Sequence, residues 1–96
     1  MAAFVPDLMD RSRLAGLGVE FVAAPADLAG TGADVVVVDL GRPGVLDALP
    51  GLAGRRTIGF GSHVDRAVLD AARAAGCAEV MPRSEFFRRA RELLDG

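Results

Sequence analysis

Val35, Val36, Val37 and Val38 follow one another without a polar interruption, end on Asp39, and run into the turn Gly41-Arg42-Pro43-Gly44. A β-strand points successive side chains to opposite faces, so four β-branched residues in a row leave neither face fit for water. The strand must be covered on both sides, as the central strands of parallel α/β sheets are. Asp39 then stands at the carboxyl end of that strand. In open α/β sheets this is the edge where side chains leave the packed layers and face a crevice, so a carboxylate there is a candidate site.

The 96 residues suffice for one domain, residues 1–96, and are too few for two. Half the chain is hydrophobic, but much of that is alanine, which implies a thin core that association would help. A net charge of −2 gives no general attraction to nucleic acid or to an anionic membrane, and neither is expected as a partner. All eleven basic residues are arginine. The lone Cys77 and the lone His63 make no disulfide or metal site, and with no long apolar run the chain reads as a soluble cytoplasmic protein.

Short apolar runs alternate with helical patterns along the chain. Strands are expected over residues 2–6, 19–23, 34–39, 56–60 and 78–81. Between them, Asp7 caps a first helix with Asp10 in its first turn, Pro25 opens a short helical segment, and residues 45–49 give one or two turns. A helix over 64–75 has Val64, Val68, Ala71, Ala72 and Ala75 as its inward stripe and stops at Gly76, and Ser84 caps a last helix ending near Leu94. Five strands separated by helical segments predict a single flavodoxin-like, doubly wound, five-stranded parallel sheet of order 2-1-3-4-5 with short helices. Asp7, Asp39, Ser62 and Pro82 then meet at one edge.

The pattern resembles the receiver domain of bacterial response regulators over nearly the whole chain. The resemblance rests on Val38-Asp39-Leu40 with Pro43-Gly44 after it, on Ser62 closing the fourth strand, and on Met81-Pro82 closing the fifth. In that family the aspartate of the third strand accepts a phosphoryl group. Two acidic residues after the first strand hold Mg²⁺, a Ser or Thr after the fourth contacts the phosphate, and a Lys-Pro pair follows the fifth. The resemblance therefore makes Asp39 the phosphoacceptor candidate and Ser62 the phosphate contact. Two departures stand out. The acidic pair is here Pro6-Asp7, and the lysine is Met81 in a chain without any lysine.

Phosphoryl transfer to a carboxylate depends on positioning and on charge neutralisation, and this chain lacks parts of both. Asp7 and Asp39 remain as weak Mg²⁺ candidates, and Arg83 is a poor replacement for the lysine. The expectation is a degenerate pseudo-receiver: a regulatory, phosphorylation-independent protein-interaction module that is not an enzyme and needs no cofactor. An active phosphoacceptor using Asp39, and a small anionic-ligand module whose crevice is lined by Gly41, Gly59 and Gly61, are the alternatives. Plainer roles compete at several positions. Asp39 can accept hydrogen bonds from the loop at Gly41, Asp7 can be only an N-cap, and Ser62 with Asp65 has the form of a capping box. Leu69 falls outside the inward stripe, so a protein partner or a weak homodimer is expected on the face of the 64–75 helix, the fifth strand and the last helix. Leu69, Arg66, Arg73, Met81, Arg88 and Arg91 would form it.

Overall fold

In the computed structural model, which describes residues 1–95, five parallel strands form one sheet. They are β1 (Ala2–Phe4), β2 (Glu20–Phe21), β3 (Val35–Asp39), β4 (Arg56–Gly61) and β5 (Glu79–Pro82), in the order β2-β1-β3-β4-β5. The helices are α1 (Leu8–Arg13), α2 (Val45–Ala48), α3 (Arg66–Ala74) and α4 (Arg83–Leu94), with 3-10 segments at Pro25–Thr31 and Leu49–Leu52. This is the flavodoxin-like, doubly wound arrangement expected from the alternation of patterns. Gly96, the last residue of the expected domain, lies outside the described residues.

The valine strand divides the core in two, as its sequence requires. Val36 and Val38 face the layer made by the 3-10 segments, α2 and α3, where Leu28, Val45, Leu49, Leu52 and Leu69 are buried. Val37 faces α1 and α4, with Leu14, Ile58, Phe60, Phe86 and Leu93. No helix among the described residues is long and apolar enough to cross a membrane. At the amino end of the sheet Arg56 grips Glu79 through two bonds of 2.6 and 2.9 Å and donates a third, 2.7 Å, to the Leu93 carbonyl. That guanidinium ties β4, β5 and the last turn of α4 together.

The 64–75 helix is shorter and turned relative to its expected register. Val64 lies before the helix and is exposed, Ala71 faces solvent, and Leu69 and Ala72 are the buried pair. Asp65 caps the helix, accepting the Val68 N–H at 3.2 Å, which starts α3 later and rotates it. Gly61 on β4 then favours the residue that points inward, while Gly59 beside it receives Leu40. A methyl placed on Gly59 would come within 2.9 Å of the Leu40 methyls, and one on Gly61 within 3.3 Å of Leu69. Two missing side chains leave a hollow on the sheet, and large aliphatics fill it. Leu69 is therefore core and not an exposed contact residue, and Met81, also buried, is not one either. Gly76 does end the helix region as expected, at φ +97°, a conformation that glycine adopts without a Cβ clash.

The last helix also starts differently, with Pro82 at the N-cap and no side-chain cap from Ser84. The β2 strand shrinks to two residues, and β5 is shifted by one to end at Pro82.

Truncation of Leu69 to alanine should lower the unfolding free energy by about 2–5 kcal/mol, as for other buried leucines. A charged Leu69→Glu variant should fail to fold cooperatively. Urea denaturation followed by circular dichroism checks both; a Leu69→Glu protein as stable as the wild type would return this residue to the surface.

Candidate functional site at the carboxyl edge of the sheet

The register places Asp39 opposite Phe60 and Gly61 opposite Pro82, so the segments after β1, β3, β4 and β5 all leave the sheet at one edge. Asp7, Asp39, Ser62 and Pro82 share that edge as expected. Each carboxylate there, however, already has partners within the chain.

Asp7 is the N-cap of α1, accepting the Met9 N–H at 2.9 Å and the Asp10 N–H at 3.1 Å. The bond from the Asp10 amide holds its carboxyl below the usual value, with Arg83 and Arg42 adding attraction from farther off. Asp39 accepts the Gly41 N–H at 3.0 Å and meets Arg42 Nε at 3.3 Å. The loop hydrogen bond expected as its plainer role is thus made. Ser62 is exposed and its Oγ accepts only a long 3.4 Å bond from the Val64 N–H, since Asp65 takes the capping role.

The residue pair that sequence reasoning missed is Asp10 with Arg83. Asp10 is 1% exposed, one helical turn after Asp7, where a carboxylate would be costly without a partner. Arg83 reaches it from the start of α4 across 73 residues of sequence, Nη1 donating to Oδ2 at 2.7 Å and Nη2 to Oδ1. The guanidinium also lies over the rings of Phe60 and Phe87, at 5.8 and 5.1 Å. Bonding to Asp10 raises its pKa further, and Asp39 and Asp7 contribute at longer range. One arginine therefore sits among three carboxylates. The short i, i+3 interval from Asp7 to Asp10 was visible in the sequence. The partner was not, because only the parallel order of β1, β3, β4 and β5 brings residue 83 beside residue 10.

A Mg²⁺ site is poorly provided for here. Both oxygens of Asp10 go to Arg83 and those of Asp39 to the Gly41 amide and Arg42, while Asp7 keeps one oxygen outside its cap bonds, and no group of three His, Cys, Asp or Glu among the described residues is placed to hold a metal. Gly59 and Gly61 do not open a ligand cradle either, since Leu40 and Leu69 pack against them. Cys77 is buried against the carbonyls of Thr57 and Glu79, and burial pushes its thiol pKa up, which disfavours the thiolate. At the rim of the edge, Leu8, Met9 and Val64 are each at least 74% exposed.

No protein-family model matches the chain, and neither does any curated protein or solved structure.

Removing either member of the Asp10–Arg83 pair should not cost the same. Arg83→Ala strands a buried carboxylate and should destabilise by about 2–4 kcal/mol, below the upper end for fully buried pairs because the arginine is half exposed. Asp10→Asn leaves a guanidinium that water can reach and should cost about half as much or less. Equal losses in urea denaturation at pH 7 would contradict this asymmetry.

Acid sensitivity has two assigned sources. Glu79 is held below its ordinary 4.5 by the hydrogen bonds from Arg56, and Asp7 below 3.8 by the Asp10 amide. Both folded values are depressed, so their contribution is fully present above those ordinary values and is lost as pH falls through the folded ones. Glu79→Gln should flatten the loss of stability below about pH 4.5 and Asp7→Asn the loss below about pH 3.8, and asparagine keeps the cap. Unfolding midpoints measured from pH 6 to pH 2.5 test this.

Proposed function

We propose that this chain is a receiver-like regulatory module that acts through protein contacts and does not depend on phosphorylation of Asp39. The observation that carries the reading is the Asp10–Arg83 pair. In receivers the acids after the first strand hold Mg²⁺ and a lysine after the fifth meets the phosphoryl group. Here Pro6 leaves that acidic pair one carboxylate short, and the next acid along, Asp10, is neutralised by Arg83, the cation just after the fifth strand. Arg42 does the same for Asp39, which is 9% exposed. A phosphodonor approaching Asp39 would have to displace the bonds from Gly41 and Arg42 at an edge where only Asp7 keeps an unbonded oxygen for a metal, and charge neutralisation is the main catalytic resource of such a transfer.

The contact surface differs from the one first expected. With Leu69 and Met81 inside, the face of α3, β5 and α4 has arginines at its edges but not its leucine anchor. The large exposed hydrophobics, Leu8, Met9 and Val64, instead lie just beyond β1 and β4. A protein partner is read as contacting this apolar rim, over an edge whose charges are internally paired.

Acetyl phosphate or beryllofluoride with Mg²⁺ should leave the amide spectrum at Asp39, Gly41 and Ser62 unchanged, while Arg83→Ala should perturb the same edge directly. Saturable, Mg²⁺-dependent shifts in the wild type would overturn the reading and make Asp39 a working phosphoacceptor.

A further inference from the structure

A groove of about 660 Å³ opens where α1 ends against the first turn of α4, lined by Arg13, Arg83, Ser84, Phe87 and Arg88. It presents three guanidiniums and no carboxylate, on a chain of net charge −2. Arg83 is paired with Asp10 but keeps 45% of its side chain exposed. Among the described residues Arg13 and Arg88 form no ion pair. Glu85, the nearest acid in sequence, is turned onto Arg89 at 2.9 Å. Arg13 and Arg83 both lie over the Phe87 ring, at 5.3 and 5.1 Å, so one aromatic side chain positions a guanidinium from α1 and one from α4 at the groove. Asp10 already answers the charge of Arg83, so the uncompensated positive charge at the groove is that of Arg13 and Arg88.

The floor of the groove adds uncharged donors. α4 is twelve residues long and its N-cap, Pro82, supplies no side-chain acceptor, so its first amides and the Ser84 hydroxyl are available to an oxyanion. We propose that this groove binds a phosphate group, free or as a small phosphomonoester. A carboxylate is satisfied in one plane by a single guanidinium fork, whereas a tetrahedral dianion accepts from several donors arriving from different elements; with both terminal nitrogens of Arg83 given to Asp10, those donors are Arg13 on α1, Arg88 on α4 and the first amides of α4. The volume exceeds what a phosphate fills. A second hollow continues past Arg13 and Phe87 to Leu17, Ala90 and Arg91, giving room for the organic part of an ester. Local sequence patterns carry no sign of this groove, since Arg88 and Arg91 read as a solvated helix face and Arg13 is 75 residues from Arg88 in the chain.

The groove is distinct from Asp39 and its binding does not require the regulatory role proposed for the edge. The test is a titration of the full chain, followed by amide NMR at constant ionic strength, with inorganic phosphate in one arm and glycerol phosphate in the other. Saturable shifts at Ser84, Glu85 and Arg13 are expected in at least one arm, and the comparison of arms tells free phosphate from ester. Arg13→Gln with Arg88→Gln should weaken binding at least ten-fold, and Arg66→Gln, on α3, should leave it unchanged. A urea midpoint near the wild-type value certifies the double variant; if it does not fold, Arg88→Gln alone should still weaken binding several-fold. Shifts that do not saturate, that sodium chloride reproduces, or that survive the arginine substitutions undiminished overturn the proposal.

Discussion

The two-sided burial of β3 is the constraint from which the rest of this molecule follows. A strand of valines has no face for water, so helices must pack on both sides, and a chain of 96 residues meets that demand only by winding back and forth across one sheet. Parallel winding sends every strand the same way and so collects the segments after β1, β3, β4 and β5 at one edge. Polar chemistry gathers there because the apolar layers leave it nowhere else to go.

At that edge the molecule solves an electrostatic problem with arginine alone. Asp10 is buried, Asp39 nearly so, and each is met by a guanidinium from a different segment. Arginine suits this position because its planar fork engages both oxygens of Asp10 at once and its faces lie over Phe60 and Phe87, which a lysine ammonium does less well. A lysine in a phosphoryl-transfer site is a mobile point charge that waits for its partner. Arg83 is already fixed by its own. The same side chain borders the groove beside α4, so the edge and the groove share one cation.

The fold was largely legible in the sequence. Strand positions, the order of the sheet, the Asp7 cap and the Gly76 stop follow from local patterns that tertiary packing did not override. The facing of α3 was not legible. Its alanine-rich pattern fits more than one inward stripe, and the choice was made by Gly61 on another element, whose missing side chain favours the largest residue, Leu69. The site was half legible for the same reason. Asp7 and Asp39 are marked by where strands end, but the Asp10–Arg83 pair joins the beginning of the chain to its last helix, and no local spacing encodes it.

The outermost strands of the sheet carry a consequence of their own. β2 is two residues long, and β5 has four and closes on Pro82, which has no N–H to offer. Neither margin presents a run of open amides and carbonyls long enough for another chain to add a strand, which is the usual path to uncontrolled aggregation of flat sheets. Assembly with other molecules is thereby left to side chains on the loops and helices, and each such contact can be altered by substitution without touching the backbone ladder that holds the domain together.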